Sequence, residues 1–178
     1  MTGRRVVLMH TSVLIAYATR SGSTGEVARF MGEALRDAGI PNQVLPMAEV
    51  GSLDGNAALI LGAPLYIGRF PKEFHRFLRF HRRALSAMRP WCFVLGPTQM
   101  ELKHFESSRN QAIKQLNRYP WLHLADLHIF GGRWDPHKLP LPFSLVRRFG
   151  TALNKIPAMD IRDWRAMREW ATGIAQQA

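Results

Sequence analysis

Thr19, Arg20, Ser21, Gly22, Ser23 and Thr24 place four hydroxyls, one guanidinium and one glycine in six consecutive positions. Groups of this kind suit a phosphate: hydroxyls donate to its oxygens, and glycine lets backbone N–H groups approach closely. On one side lies Val13–Tyr17, an apolar run of strand length. On the other, Val27, Phe30, Met31, Ala34, Leu35 and Ala38 recur at helical spacing until Gly39. The turn therefore joins a buried strand to the start of an amphipathic helix, whose unpaired N–H groups and dipole favour an anion. A reading without ligand stands beside this one. Ser23-Thr24-Gly25-Glu26 has capping-box spacing, in which Ser23 and Glu26 satisfy the first helical donors themselves. The turn holds more hydroxyls than a cap requires. It lacks the lysine of a Walker loop and the glycine triplet of a dinucleotide fold, so a mononucleotide-type phosphate is the better match.

Other chemistry is sparse. The seven histidines, His10, His75, His81, His104, His123, His128 and His137, show no metal-ligand spacing backed by cysteines or paired carboxylates, so no metal is expected. His75 and His81 are expected on a surface. The single cysteine, Cys92, sits in the apolar run Trp91–Leu95 and reads as a small buried hydrophobe. Ser21, Ser23 and Thr24 are not flanked as a nucleophile elbow would be.

Short apolar runs alternate with helical patterns, which predicts a parallel sheet. After the first strand and helix come strands at Gln43–Leu45, Ala58–Leu61, Trp91–Leu95 and Leu124–Phe130. A helix is predicted from Pro71 to Leu85, another over Phe105–Leu116, a further one over Phe143–Asn154, and a last one over Asp160–Gln176. Five strands with helices on both faces make an open doubly wound sheet, whose ligands sit beyond the carboxyl ends of the strands. Three loops fall at that edge: Thr19–Thr24, Pro64–Phe70 and Gly96–Lys103. At 178 residues the chain reads as one domain, with residues 1–10 as a disordered extension and 131–155 as an extended segment before the last helix. No run approaches the length of a membrane span, so the expected location is cytoplasmic.

The net charge is +11. Between Arg69 and Arg89 stand seven cations and one acid, Glu73. On the helix from Pro71, Phe74, Phe77, Leu78 and Leu85 share one face and Arg76, Arg79 and Arg83 the other. That face is either a solvated basic surface or one that meets an anionic membrane or an acidic partner. No nucleic-acid recognition module is present.

The loops also carry a resemblance. Tyr17–Thr24 resembles the flavodoxin phosphate loop, with Gly22 and Thr24 matching and Ser21 and Ser23 standing where the family prefers threonine and asparagine. Gly62–Gly68 is similar to the second flavin loop of a flavodoxin subgroup that contains the menaquinone-dependent protoporphyrinogen dehydrogenases; the similarity continues through Phe70, Phe74 and Phe77. The segments Phe130–Trp134, Arg147–Phe149 and Asp163-Trp164 resemble that subgroup too.

The resemblance implies a flavodoxin-like five-stranded parallel sheet of order 2-1-3-4-5 and bound FMN. Thr19, Arg20, Ser21, Gly22, Ser23 and Thr24 would hold the phosphate. Pro64, Leu65, Tyr66, Ile67 and Gly68 would form one wall for the ring, with Tyr66 the stacking candidate, and Gly96, Pro97, Thr98 and Gln99 the other. Arg69, Lys72, Arg133 and Trp134 are the substrate candidates. The implied activity is an FMN-dependent oxidoreductase passing electrons from a porphyrinogen-like substrate to a quinone, at the inner face of an anionic membrane. Two alternatives stay open: a flavodoxin-type electron carrier, against which the basic charge argues, and a module of this fold with lost or altered flavin binding.

Overall fold

Alternation along the first strand sets the architecture. In β1 (Val13–Tyr17), Val13, Ile15 and Tyr17 join one core while Leu14 and Ala16 join another, and all five are buried. A strand buried on both sides belongs inside a parallel sheet with helices on each face. The computed structural model, which describes residues 12–134 and 158–177, has that arrangement. With β2 (Asn42–Pro46), β3 (Ala58–Pro64), β4 (Trp91–Leu95) and β5 (Asp126–Phe130), β1 forms an all-parallel sheet of order β2-β1-β3-β4-β5. Both the fold class and the strand order are those expected.

Helix α1 (Ser23–Asp37) and helix α5 (Trp164–Ala175) cover one face, burying Val27, Met31, Leu35, Met167, Ala171 and Ile174 against Ile15, Ile60 and Phe93. Helices α2 (Lys72–Phe80), α3 (Arg82–Leu85) and α4 (Leu102–Leu116) cover the other, with Phe74, Phe77, Leu78, Leu85 and Ala112 against Leu14, Leu61 and Val94. Each large side chain so buried contributes about 1.5–3 kcal/mol. Cys92 lies wholly inside this second core, and burial pushes its thiol up to about 12. A two-residue ladder, β6 (Arg133–Trp134) against β7 (Met159–Asp160), is tied to the sheet edge by the Gly132 N–H, which donates to Pro97 O at 2.7 Å.

Several boundaries differ from expectation. β3 continues through Pro64, paired with Leu95, so the second loop begins at Leu65. β1 ends at the Tyr17–Gly62 pair, so the N–H that Pro64 lacks interrupts no bond on that side. The helix from Pro71 breaks at His81, whose backbone leaves the helical region before α3 resumes. His81 is buried rather than on the surface, its ring tilted against Phe77 and edge-on to Phe80 with centroids 4.6 and 4.9 Å away. His75 is half-buried, with its Nδ1 2.8 Å from the Tyr119 hydroxyl. Helix α4 starts at Leu102, three residues before the predicted Phe105. The last helix starts at Trp164, not Asp160, because the Asp163 carboxylate caps it by accepting from the Ala166 N–H; Asp160 belongs to β7. The predicted helix Phe143–Asn154, residues 1–10 and most of 131–155 lie outside the described residues.

Candidate functional site

The first turn of α1 decides between cap and cradle. Gly22 is the residue before the helix, at φ +88°, a left-handed conformation that glycine adopts without strain. This starts the helix at Ser23, so Ser23 cannot serve as the capping residue, and no side chain caps the helix. The first intrahelical bond runs from the Glu26 N–H to Gly22 O, at 3.0 Å. The N–H groups of Ser23, Thr24 and Gly25 precede it and are the orphan donors of the helix. The Glu26 carboxylate turns instead to Arg162, at 2.8 Å, and Arg133, at 3.4 Å. The capping box is therefore not formed. Two guanidiniums on Glu26 also offset a negative charge that would otherwise oppose an anion at the helix start.

Thr24 is 0% exposed, and its Oγ1 has no hydrogen-bond partner among the described residues. A buried hydroxyl without a partner is destabilising, and a phosphate oxygen would satisfy it. Thr19 Oγ1 accepts from the Gly22 N–H at 3.0 Å and keeps its own O–H to donate. Ser21 is less free than expected: its Oγ lies 2.7 Å from the Tyr66 hydroxyl, joining the first loop to the second. Nothing would contact a Cβ at Gly22 within 4 Å, so the turn is open above the amides. The donors, the unpartnered hydroxyl and the open turn fit the phosphate of FMN.

The second loop is a tight hairpin. Tyr66 and Arg69 exchange both backbone bonds at 3.0 Å across Ile67 and Gly68, whose φ values are +47° and +68°. Positive φ at both central residues is the type I′ pattern. Glycine is at ease there; a β-branched isoleucine is strained, and Ile67 is 85% exposed. The loop is held from α4. Gln115 accepts from the Phe70 N–H at 3.0 Å and donates to Gly68 O at 2.7 Å. Gln111 packs so closely that a Cβ on Gly68 would meet its Oε1 at 2.6 Å. The third loop borders a smaller cavity of about 260 Å³, shared by Leu65, Gly68, Gly96, Pro97, Thr98 and Gln99. The structure thus brings the expected second and third loops together, while the Ser21–Tyr66 contact ties in the first.

The substrate candidates divide. Arg69 and Lys72 open onto a cleft of about 970 Å³ between the second loop, α2 and α4, together with Arg20, His75, Lys114 and Arg118. Arg20 is exposed and lies over the Tyr66 ring, 5.9 Å from its centroid. Arg133 stands apart on the α1 side with Glu26, and Trp134 is half-buried on the β6–β7 ladder. Arg162, its side chain 4% exposed, braces that ladder by pairing with Asp160 and Glu26 and packing on Trp164. Its hydrogen bond holds the Asp160 carboxyl below the usual carboxylate range. Sequence reading missed Gln111, Lys114, Gln115 and Arg118. Gln111, Lys114 and Gln115 share one face of α4 at spacings of three and four residues, the signal that would have found them, and Arg118 follows in the turn beyond the helix. No group of His, Cys, Asp and Glu among the described residues could hold a metal ion.

Known proteins place this geometry. Structural relatives include a short-chain flavodoxin associated with a non-canonical PDU bacterial microcompartment, at TM-score 0.57 and 14% identity over 94% of this chain and 98% of that one. The flavodoxin of Streptococcus pneumoniae TIGR4 follows at TM-score 0.54 and 14% identity, over 94% and 99%. Rubredoxin oxygen:oxidoreductase of Desulfovibrio gigas matches at TM-score 0.56 and 15% identity over 94% of this chain and 36% of its own. At such identities the likeness shows the fold alone. No curated protein sequence matches the chain significantly. The family model described as a flavodoxin domain matches residues 14–142, most of the chain, and the protein belongs to the flavodoxin domain family.

Proposed function

We propose that this protein is an FMN-dependent oxidoreductase that takes electrons from a small anionic, porphyrinogen-like substrate and delivers them to a quinone. The observation that carries the flavin part is the start of α1: three orphan N–H groups beside a fully buried hydroxyl, with neither a partner for the hydroxyl nor a side-chain cap for the helix among the described residues. Bound FMN would supply the redox chemistry at its ring. Around it, this chain would bind and orient. The amides of Ser23–Gly25 and the hydroxyls of Thr19 and Thr24 would hold the phosphate. Leu65 and Tyr66 would wall the ring on one side, and Gly96–Gln99 on the other.

Charge supports an enzyme over a carrier. Five cations line the cleft beside the second loop, and among the described residues none of them pairs with a carboxylate. Glu73, the one acid between Arg69 and Arg89, is not among the residues that line the cleft. The exposed Ile67 at the loop tip favours the second reading, an electron carrier that docks a protein partner there. The basic face of α2 and α3, with Arg76, Arg79 and Arg83 exposed, would rest on an anionic membrane holding the quinone. No helix of the described residues is long and apolar enough to cross one.

Purified protein should be yellow, or become so with FMN; failure of reconstitution would sink both redox readings. Anaerobic addition of protoporphyrinogen should bleach the flavin, and a menaquinone analogue should restore its colour. Bleaching only by a reduced protein partner would establish the carrier. Sedimentation without anionic vesicles at low salt would remove the membrane from the proposal.

A further inference from the structure

We infer that the cleft between α2 and α4 is a binding site for a small polyanion, a molecule with at least two carboxylate or phosphate groups, with Lys114 and Arg118 as specificity residues. The inference deepens the proposed function and rests on its small anionic substrate. Five cations converge here: Arg20 from the first loop, Arg69 from the second, Lys72 from the start of α2, Lys114 from α4 and Arg118 from the turn after it. Their charges are not committed elsewhere. Arg133, Arg162, Arg165 and Arg168 all pair with carboxylates, whereas these five have no carboxylate partner among the described residues. Like charges gathered without counter-ions repel one another and raise the potential of a concave site.

The walls are organised rather than loose. Gln115 fixes the Gly68–Phe70 backbone, and the His75–Tyr119 contact at 2.8 Å sets the far side. Lys114 lies in the last turn of α4 and Arg118 in the turn that follows it, and both line the cleft, so one ligand meets both. A volume of about 970 Å³ admits a molecule far larger than a single phosphate. Arginine binds carboxylate and phosphate in the same two-pronged way, so the cations alone do not choose between them.

The test is calorimetry on the full chain with sodium tripolyphosphate and with citrate, each with and without FMN. Lys114→Glu/Arg118→Glu should weaken binding of at least one probe tenfold or more. Arg36→Glu/Arg89→Glu, an equal charge change on exposed residues outside the cleft, should weaken it less than threefold. Preference for tripolyphosphate assigns the site to phosphates, and preference for citrate to carboxylates. Equal losses in both double variants would reduce the effect to net charge and overturn the inference, as would no binding of either probe. The flavin reading fails separately. Protein that takes up FMN but neither probe refutes this site alone, whereas protein that binds a probe but never FMN refutes the flavin and leaves the site.

Discussion

Replacing Thr24 by valine should change stability in opposite directions with and without FMN. Valine matches threonine in shape and is a similar helix former, so the substitution removes only the hydroxyl. That hydroxyl is fully buried and has no partner among the described residues. A buried polar group left unsatisfied costs about 1–3 kcal/mol. The FMN-free variant should therefore be more stable by about 1 kcal/mol, a rise in Tm of about 2–4 °C for a domain of this size. With FMN the balance reverses. A hydrogen bond to a charged group contributes about 1.5–3 kcal/mol, so the Kd for FMN should rise about 10- to 100-fold. The variant at saturating wild-type ligand concentration should then melt below the wild type, because the stabilisation from bound ligand falls with the affinity.

Thermal melts with and without FMN, beside a fluorescence titration, read both signs. Thr24→Ser keeps the hydroxyl and should retain FMN affinity, which separates loss of the donor from disturbance of the helix. A valine variant less stable without FMN would show that the hydroxyl has a partner in the free protein. An unchanged Kd would show that Thr24 does not face the phosphate and would leave the turn as a helix start only.

Ile67→Asn should stabilise the protein by about 1 kcal/mol in urea unfolding, since Asn-Gly suits a turn with both φ values positive and the exposed isoleucine gives up no burial. Gln115→Ala should destabilise by about 1–3 kcal/mol, because it frees the buried Phe70 N–H, and should weaken FMN at the same time; loss of stability alone would detach the second loop from the flavin. Burial lowers the pKa of His75, His81 and His128, so below about pH 6.5 the unfolded chain binds more protons than the folded one. Stability should be unaffected by these groups above pH 7, fall as the pH drops below about 6.5, and level off below their folded pKa values. His81→Asn should flatten that fall between about pH 7.5 and 5 in urea midpoints; an unchanged slope would rule it out as a contributor. Cys92, with its thiol at about 12 and no exposure, should resist iodoacetamide at pH 8 until the protein unfolds; labelling at the rate of a free thiol would contradict its burial.

The sheet was legible because its strands are short apolar runs between turn residues, and such runs have few alternatives once helical periods separate them. The ends of elements were less so. Pro64 read as a loop residue since proline weakens a strand, yet its neighbour on one side had already ended. Asp160 read as the start of the last helix, whereas the carboxylate that caps it is Asp163, three residues on. The capping box had the right spacing, and only the left-handed Gly22 shows that Ser23 falls one position too late to cap. Spacing constrains which side chains can meet; it does not fix where the first helical residue lies. His81 was misplaced for another reason. Its spacing, four residues after Phe77 and seven after Phe74, puts it on the apolar face of the helix, and its polar ring alone suggested a surface.

The second loop is where the two halves of the site meet. One side of residues 65–70 faces the third loop, and the other forms a rim of the cationic cleft. A loop that partitions two ligands has to keep its shape with either absent, and flexible hairpins do not. Here Ile67 is held in an unfavourable conformation while Gln115 bonds the backbone on both sides of Arg69 and Tyr66 joins Ser21. Strain of this size persists only where surrounding contacts over-determine the backbone. Those contacts come from α4, the helix that carries Lys114 and leads into Arg118, and from the first loop, the same turn that carries the orphan amides. Fixing the wall therefore fixes the distance between the phosphate cradle and the cations, and a substrate anchored by its anionic groups in the cleft would present its remaining body across the rim toward the flavin.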